Sequence, residues 1–562
     1  MTKSLSKTIW TIHKHISHTS STNLAKSVLQ NRGLDDSEID RFLSPNYQED
    51  LADPMLLPDM VKALKRIKTA IDNNENITIY GDYDIDGITS CALLRDFFRM
   101  IGANVEIYIP DRFEEGYGLN SKALQLLKDQ GSDLVITVDC GVTSKKESDY
   151  ADSIGLDLII TDHHDPPKVL PNKCIALINP KLKTNKYPFI QLAGVGVAFS
   201  LVRAYIGRYK SSLADGQEKW LLDLVALGTV CDVVPLVGEN RVLSLFGLKV
   251  LRKSKRVGLQ ELANSSGIDI SKITESDLGF RFGPRLNAAG RLEHAKAALN
   301  LLISEDAKES IELAKKLNEL NQERQILTQE IYTQADKQAK KQSQNLILVL
   351  SDKSWNTGVV GIVASRITEK HHKPAIVICN DGVDAKGSAR SWGGFSIIDA
   401  IRSCDEILDR YGGHEFAAGI TLKSENLELF TYKINEYAKQ KVDIESMLPS
   451  IDIDLSFDHL SPDLNYVSNL EALRPYGNSN PQPIFSSQFE LLDLRHIGQH
   501  QNHLKFKLKT NTSTCDAIAF SAAHKWPNLN VGVKYQFAYY INENVWQNIS
   551  KPQLEIVDIR AI

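Results

Sequence analysis

Two features are missing from this sequence: a long hydrophobic run and an excess of positive charge. No stretch of its 562 residues approaches the roughly 18 consecutive apolar residues of a membrane span. Its first twenty residues contain no apolar core of signal-peptide length. Lys and Arg number 65 against 70 Asp and Glu, for a formal net charge of −5. We therefore expect a cytoplasmic protein without membrane contact. A net negative charge argues against binding to nucleic acid through overall charge, but it is compatible with a local basic groove.

Cysteine is also sparse, with seven residues and no C-x-x-C pair. This pattern argues against a disulfide framework and a zinc ribbon, and it fits a reducing compartment. Apolar residues make up 42% of the chain, which is ordinary for a globular protein with packed cores. At this length we expect several domains.

Short β-branched runs alternate with helical patterns in the first half of the chain. The runs occupy residues 77–80, 105–109, 134–138, 156–160 and 175–179. Such alternation predicts βαβ units and a mostly parallel sheet.

A stretch without Gly or Pro follows at residues 304–344, and apolar side chains recur along it at spacings of three, four or seven. This pattern predicts a long amphipathic helix. We interpret it as a connection between two α/β lobes, because strand patterns restart at residues 346–350; a core-facing helix of one domain is the alternative. After Pro449 short alternating strands and Pro/Asn turns predict a small all-β barrel or sandwich.

Acidic side chains follow four separate apolar runs. Asp82, Asp84 and Asp86 come after residues 77–80, Asp139 after 134–138, Asp162 with His163 and His164 after 156–160, and Asp232 after 224–230. Ligand sites of open parallel sheets form outside the carboxyl ends of the strands. If all four runs are strands of one sheet, these side chains converge on one edge.

So many carboxylates in one cleft repel one another unless cations bind between them. Oxygen ligands with only one or two imidazoles favour Mg²⁺ or Mn²⁺ over zinc. Two such ions would equip the site for in-line attack at phosphorus. A calcium loop of the EF-hand type is excluded, because the twelfth position counted from Asp82 is Leu93 rather than Glu.

The motifs "GDYDIDGITS", "VITVDCGV", "LIITDHHDPP" and "LGTVCDVVPL", in this order, resemble those of the DHH phosphoesterase superfamily. Together with "FRFGPRLNAAGRLEHAKAAL" and "YGGHEFAAG", they make nearly the whole chain similar to the RecJ family of single-strand-specific exonucleases within it. The similarity is weakest after about residue 490.

This resemblance implies an α/β fold: two α/β lobes with mostly parallel sheets, a long connecting helix and an OB-like C-terminal barrel. The expected divisions are a helical lead-in (1–50), a DHH catalytic domain (51–303), the connecting helix (304–344), a DHH-associated domain with a GGH motif (345–448) and a nucleic-acid-binding OB-like domain (449–562). The implied activity is 5′-to-3′ hydrolysis of single-stranded DNA to mononucleotides, in repair and recombination, with two Mn²⁺ or Mg²⁺ ions. A single-strand-binding protein and a helicase are implied partners.

The resemblance also assigns residues. The implied metal ligands are Asp82, Asp84, Asp86, Asp139, His163 and Asp232, with His164 near the scissile phosphate or behind the ligands. Tyr80 stands where some family members have a histidine, so a ligand contribution there is open. The implied substrate contacts are Arg112, Tyr117, Arg285, Asn287, Arg291, Ser388, Arg390, Gly412, Gly413 and His414. Asp162 is expected to orient the histidines.

Three alternatives stay open. A DHH phosphoesterase of small substrates such as dinucleotides would share the acidic motifs, and a non-enzymatic relative would share the fold. In the C-terminal region, Lys505, Lys507 and Lys509 share one predicted strand face. That face suits a nucleic-acid backbone; a solvated edge strand protected by lysines is the alternative.

Overall fold

The computed structural model describes residues 4–6, 8–16, 23–112, 114–209, 213–443, 447–458, 460–510 and 513–562. The chain divides into two compact units. The first unit comprises Asp40–Glu323 and Arg474–Pro481, and the second unit comprises the residues up to Ile39, Arg324–Leu473 and Gln482–Ile562.

The strands are β1 (Ile9–Ile12), β2 (His15–Ile16), β3 (Ile77–Gly81), β4 (Val105–Tyr108), β5 (Leu134–Val138), β6 (Asp157–Thr161), β7 (Ala176–Ile178), β8 (Leu348–Asp352), β9 (Ala375–Asn380), β10 (Asp384–Arg390), β11 (Arg410–Gly413), β12 (Ala417–Lys423), β13 (Ser450–Ile453), β14 (Leu455–Phe457), β15 (Phe485–Ile497), β16 (His503–Lys509), β17 (Thr514–Ala519), β18 (Lys534–Trp546) and β19 (Ile549–Ala561).

The helices are α1 (Leu24–Asn31), α2 (Asp36–Leu43), α3 (Met60–Asp72), α4 (Ile85–Met100), α5 (Ser121–Asp129), α6 (Lys145–Ser153), α7 (Gly194–Tyr209), α8 (Leu222–Cys231), α9 (Gly238–Leu251), α10 (Val257–Ser266), α11 (Glu275–Asp277), α12 (Gly283–Leu292), α13 (Lys296–Ile303), α14 (Ala307–Lys341), α15 (Val360–His371), α16 (Ile397–Arg402), α17 (Leu427–Lys441) and α18 (Leu464–Glu471).

The first unit is built on a five-stranded sheet of order β4-β3-β5-β6-β7 in which every pairing is parallel. Each of the five predicted strands is present. Alternate side chains point to opposite faces: Ile79 and Ile136 pack under α4 and α7, whereas Val135 and Ile160 pack against α5 and α6. Helices on both faces explain why the strands are apolar throughout.

The strand order reverses direction beside β3, since the chain goes outward to β4 and then returns to β5 on the other side. Gly81, the last residue of β3, is paired with Val138, the last residue of β5. The residues that follow these two strands therefore emerge side by side. In doubly wound sheets this switch point is where ligands bind.

One of the four acid-bearing runs is not a strand. Residues 224–230 lie within α8, and Asp232 is the residue that ends this helix. The apolar run predicts a strand of the sheet. It is apolar, however, because almost all of the helix α8 is buried. A helix buried on all sides has no polar face, so its period is hidden in the sequence.

The long helix α14 spans 35 residues. Leu317 and Leu320 pack in the core of the first unit, whereas Ile331 and Ala335 pack in a core of the second unit. The helix therefore connects two cores, as its position between two strand patterns predicts.

The second unit contains a five-stranded α/β sheet of order β11-β12-β10-β9-β8. Only the pair β8–β9 is parallel, and the other pairings are antiparallel. The mostly parallel pairing that was predicted holds for the first sheet, whereas this one is mixed. Short connections between successive strands permit antiparallel pairing here, whereas parallel pairing requires a long crossover.

The C-terminal part of the second unit is a closed barrel of β15, β16, β17, β19 and β18, confirming the predicted OB-like fold. The lead-in, predicted to be helical, instead begins with strands: β1 pairs in parallel with β13, and β2 with β14. Its helices are α1 and α2, and residues 17–22 of the lead-in lie outside the described part. The strand partners are distant in sequence, so no local pattern reveals them.

A buried charge network ties three helices of the first unit together. Arg256, which precedes α10, donates to Asp96 of α4 at 2.8 Å and lies 3.3 Å from Asp223 of α8. Asp223 also accepts a hydrogen bond from the Ser254 hydroxyl at 2.9 Å. Removing one partner leaves a mostly buried guanidinium incompletely compensated.

We expect Asp223→Ala to lower the free energy of unfolding by about 3 kcal/mol, because breaking a buried ion pair costs far more than breaking a solvated one. Asp72→Ala, which removes the exposed pair with Lys68, is the matched control, and its cost should stay below about 1 kcal/mol. Urea unfolding followed by circular dichroism measures both. Equal costs for the two variants would contradict the structural role of the network.

Candidate metal centre

The predicted acidic and histidine side chains meet at the carboxyl edge of the first sheet. Asp82 follows β3, Asp139 follows β5, His163 follows β6, and Asp232 ends α8 beside them. The Nε2 atom of His163 lies 3.1 Å from Asp139 Oδ1, 3.7 Å from Asp232 Oδ2 and 3.8 Å from Asp86 Oδ2. The sequence grouped these residues correctly, although Asp232 arrives from a helix.

Three overlapping sets of side chains place their ligand atoms within 4.8 Å of one another. They are Asp82 with Asp84 and Asp139, Asp86 with His163 and Asp232, and Asp139 with His163 and His164. Asp139 and His163 each belong to two sets. Oxygen-rich neighbouring sets with one or two imidazoles would suit two hard divalent cations.

The residues fit such ions because the atoms that would bind them have no hydrogen-bond partner among the described residues. Asp82 Oδ1, Asp139 Oδ1, His163 Nε2 and Asp232 Oδ2 are buried and accept or donate no hydrogen bond among the described residues, even though two of them are 3.1 Å apart. Buried polar atoms are almost always satisfied. Four unsatisfied atoms at one place indicate a cation site.

The surrounding backbone holds the motif Asp84–Asp86 in place. Asp84 is the N-cap of α4, and its Oδ1 accepts from the N–H groups of Asp86 at 2.9 Å and Gly87 at 3.2 Å. Asp86 accepts from Gly194 N–H at 2.6 Å and Val195 N–H at 2.8 Å, at the start of α7. Helix N-termini favour negative charge, so both helices stabilise the acids.

Asp139 has a left-handed backbone with φ of 59°. Non-glycine residues adopt this region seldom, Asp and Asn more readily than most. Such strain persists where the surrounding structure imposes it, and it is common at functional sites.

Asp162 organises the two histidines rather than joining the donor sets. Its Oδ1 accepts from His163 N–H at 2.7 Å and lies 2.8 Å from His164 Nδ1, and its Oδ2 accepts from Val142 N–H at 2.8 Å. This geometry agrees with the expected orienting role. Because Asp162 fixes one ring nitrogen of His164, the two imidazoles face different groups.

Burial and mutual repulsion raise the pKa values of the clustered carboxyl groups. Burial, followed by the charge of Asp84, raises the pKa of Asp86 to about 7. Burial raises the pKa values of Asp82, Asp139 and Asp232 well above the ordinary range, with neighbouring aspartates adding to the effect. Without a cation, Asp86 is therefore partly protonated near neutral pH, and the charged forms of the other three are disfavoured.

The two histidines are shifted in opposite directions. Burial and the neighbouring charge of His164 lower the pKa of His163 to about 3, which keeps its imidazole neutral. For His164 burial opposes the charged form, but the hydrogen bond with Asp162 and its charge outweigh burial and raise the pKa. A neutral His163 suits a metal ligand, and a cationic His164 suits a phosphate oxygen.

Tyr80 does not face the donor atoms. Its buried hydroxyl donates to Gly118 O at 3.0 Å and accepts from Asn120 Nδ2 at 3.3 Å. Asn120 also donates to Glu115 at 3.0 Å. Tyr80 therefore supports the loop before α5, which carries the predicted substrate residues Arg112 and Tyr117.

Several predicted substrate residues lie around the cluster in the first unit. The Tyr117 hydroxyl is 3.2 Å from His164 Nδ1 and 3.4 Å from Asp139 O. The Arg112 guanidinium lies over the Tyr83 ring, 5.0 Å from its centroid.

The helix α12 brings in three more predicted residues. Asn287 accepts from Ile85 N–H at 3.2 Å, directly beside the acidic motif. Arg285 donates to Asn318 at 3.1 Å and to Arg281 O at 2.8 Å. Arg291 lies on the same helix.

The remaining predicted substrate residues belong to the second unit. Arg390 donates to Ser388 Oγ at 2.9 Å and to Ser365 Oγ of α15 at 3.2 Å. A Cβ placed on Gly361 would lie 3.1 Å from Ser388 Oγ, so both side chains border the first turn of α15. Gly412 and Gly413 are in β11, and the exposed His414 follows them.

The lysines of β16 do share an exposed face, as predicted. Their strand partners, however, include carboxylates: Lys507 is paired with Asp493 and Asp516, and Lys509 lies 3.2 Å from Glu490. This face has mixed charge, which favours a solvated surface over a basic nucleic-acid face. It is not an edge, because β16 pairs with both β15 and β17.

Sequence reasoning missed the donors that hold Asp86 and the residues beside Ser388. The signal for the first was "LAGVGVAFS", in which glycine begins a buried helix. The signal for the second was "TGVVGIVASR", in which glycines open α15. Among the described residues we find no helix long and apolar enough to cross a membrane.

We expect Mn²⁺ affinity to increase as the pH rises from 6 to 8. The raised carboxyl pKa values mean that Mn²⁺ must displace protons, so affinity falls as the pH falls, by up to about ten-fold per unit for each displaced proton. Calorimetry in two buffers of different ionisation enthalpy measures affinity and proton release together. A pH-independent affinity with no proton release would show that these carboxylates are not the ligands.

Comparison with known proteins matches three domain families: the DHH family N-terminal domain over residues 76–229, the DHHA1 domain over residues 343–440 and the RecJ OB domain over residues 451–558. The single-stranded-DNA-specific exonuclease RecJ of Bacillus subtilis (strain 168) is 39% identical over 544 residues, 96% of this chain and 68% of that protein. RecJ of Escherichia coli (strain K12) is 34% identical over 528 residues, 90% of this chain and 91% of that protein.

Solved structures of RecJ proteins resemble this chain as well. The Thermus thermophilus RecJ structure in complex with Mn²⁺ superposes with a TM-score of 0.83 at 30% identity, covering 99% of this chain and 80% of that one. The Mg²⁺ complex of RecJ from the same organism has a TM-score of 0.77 at 28% identity, covering 99% and 79%. This chain therefore belongs to the RecJ family of single-stranded-DNA-specific exonucleases.

Proposed function

We propose that this chain hydrolyses single-stranded DNA from the 5′ end to mononucleotides, with two Mn²⁺ or Mg²⁺ ions, in DNA repair and recombination. The observation that carries the proposal is the buried cluster at the sheet edge, with four ligand atoms that have no hydrogen-bond partner among the described residues. The family membership supports the choice of single-stranded DNA.

The proposed ligands are those that the three donor sets share with the sequence assignment: Asp82, Asp84, Asp86, Asp139, His163 and Asp232. Bound at this cluster, the ions would supply an activated water and neutralise charge on the phosphate. Asp139 would be a ligand common to two of these sets, and it lies 3.1 Å from His163. Asp84 and Asp86 also accept hydrogen bonds from backbone N–H groups in the first turns of α4 and α7, respectively.

His164 is the proposed proton donor to the scissile phosphate or its leaving oxygen. Its imidazole is held by Asp162 at 2.8 Å, which favours the charged form, and it borders the Tyr117 hydroxyl. Arg112 and Tyr117 would contact the DNA beside the cluster, and Arg285, Asn287 and Arg291 on α12 would contact its backbone.

In the second unit we propose a phosphate contact at Ser388 and Arg390. A hydroxyl, a guanidinium and the first turn of a helix together suit an anion. Gly412 and Gly413 would let a DNA backbone approach, with His414 as a hydrogen-bond donor to it.

We assign residues 51–303 to catalysis, 304–344 to the connection, 345–448 to the DHH-associated domain and 449–562 to nucleic-acid binding. We also propose a cytoplasmic location, with a single-strand-binding protein and a helicase as partners, on the strength of the family resemblance alone.

Asp139→Asn should lower the rate of cleavage by at least about 100-fold, because it removes a charged donor shared by two sets. Asparagine tolerates the left-handed backbone of this position, so the fold should persist. Single-stranded DNA labelled at either end, incubated with Mn²⁺, Mg²⁺ or chelator, measures rate and polarity. Asp152→Asn, an exposed acid of α6, is the control and should match the original protein.

The wild-type chain should release the 5′ label first as a mononucleotide, while Asp139→Asn binds the strand at least as tightly. A faster reaction on a dinucleotide than on a long strand would contradict the proposed substrate. Cleavage by Asp139→Asn at the original rate would contradict the site.

Tyr80→Phe should raise the KM for single-stranded DNA about five-fold and leave kcat and Mn²⁺ affinity nearly unchanged. The hydroxyl holds Gly118 and Asn120 in the loop of Arg112 and Tyr117, and losing one buried hydrogen bond costs about 1 kcal/mol. Tyr205→Phe alters another buried tyrosine of the same unit and should change neither constant. A fall in kcat with an unchanged KM for Tyr80→Phe would refute this role.

A further inference from the structure

A short segment from the C-terminal part of the sequence packs in the first unit. This strap, Arg474–Pro481 with the sequence "RPYGNSNP", lies in the chain between α18 and β15, which both belong to the second unit. Its own turn is closed by hydrogen bonds between the backbones of Gly477 and Asn480. Neither the acidic motifs nor the proposed substrate contacts include it.

One end of the strap is anchored on a buried carboxylate. Glu275 of α11 has only 5% of its surface exposed, and its Oε1 accepts from Arg474 at 2.9 Å and from Tyr476 N–H at 3.0 Å. The helix that carries Glu275 is itself fixed by a capping box between Thr274 and Asp277. A charge-assisted contact at a buried acceptor makes a firm attachment.

The other end grips the loop that follows Asp232. Leu236 N–H donates to Asn478 O at 2.8 Å, and Asn478 Nδ2 donates to Val233 O at 2.9 Å. The strap backbone runs directly against the loop, because a Cβ on Gly477 would lie 2.6 Å from Leu236 Cδ1. Both ends of the segment Val233–Leu236 are therefore held by the strap.

This loop requires support because its first residue is strained. Val233 has a φ of 62°, in a region that β-branched residues very seldom adopt. It follows Asp232 immediately, and Asp232 Oδ2 is a buried donor without a hydrogen-bond partner among the described residues, 3.7 Å from His163 Nε2. Relaxation of Val233 would rotate the adjoining peptide and move this carboxylate.

We propose that the strap is a positioning element for the metal centre: Asn478 and Gly477 hold the Val233–Leu236 loop so that Asp232 points at His163. The inference rests on the proposed ligand role of Asp232. It means that the cation site requires a segment encoded more than 200 residues after its last ligand. None of the strap residues contacts the substrate in this scheme.

The test is a calorimetric titration of the full-length protein with Mn²⁺. We expect Asn478→Ala to weaken Mn²⁺ binding about five-fold, the effect of one lost hydrogen bond. Gly477→Val, which wedges the strap away from Leu236, should weaken it about ten-fold or more. Ser479→Ala changes the neighbouring exposed residue, whose hydroxyl lies 3.4 Å from Asn478 Oδ1 rather than on the loop, and should bind Mn²⁺ as the original protein does.

Melting temperatures in chelator and cleavage at saturating Mn²⁺ separate positioning from simple stability. Both strap variants should melt in chelator only a few degrees below the Ser479→Ala control, the cost of about one hydrogen bond. They should recover most cleavage at high Mn²⁺, whereas Asp232→Ala should not recover. Unchanged Mn²⁺ affinity in both strap variants, with or without a lower melting temperature, would overturn the proposal. Unchanged Mn²⁺ affinity in Asp232→Ala would instead overturn the ligand assignment on which it rests.

Discussion

Repulsion among buried carboxylates is the constraint on which the rest of this structure depends. Asp82, Asp86, Asp139 and Asp232 come together at the edge of one sheet, where burial raises the pKa values of all four. Charges of one sign gathered at low dielectric are stable only when protons or cations compensate them. The same repulsion that destabilises the empty cluster makes it a strong site for divalent ions.

The surrounding elements reduce that cost and direct the side chains. The first turns of α4 and α7 present N–H groups to Asp84 and Asp86, and the backbone of Asp139 is held in a left-handed conformation. Asp162 fixes the two histidines so that His163 faces the cluster and His164 faces Tyr117. The strap orients Asp232 by holding the loop that follows it. Asp86 and the two histidines are thus oriented by residues that do not belong to the donor sets.

Much of this arrangement could be predicted from local patterns. The five strands of the first sheet, the long helix and the C-terminal barrel follow from period, β-branching and the absence of Gly and Pro in α14. The acids after β3, β5 and β6 were placed correctly because parallel strands end at a common edge. Asp232 was grouped correctly but on the wrong kind of element, because α8 is buried almost throughout and its helical period is not visible in the apolar run 224–230.

The sequence by itself determined the chemical identity of the site: which acids and histidines are present, and that those of the first three motifs follow strands of one sheet. Only the tertiary structure decided that Asp232 arrives from a helix, that β1 pairs with β13, and that Asn478 grips the loop after Asp232. The physical reason is the range of the interactions. Side-chain period and caps act within a few residues, whereas strand pairing and the strap depend on segments hundreds of residues apart, for which local sequence carries no signal.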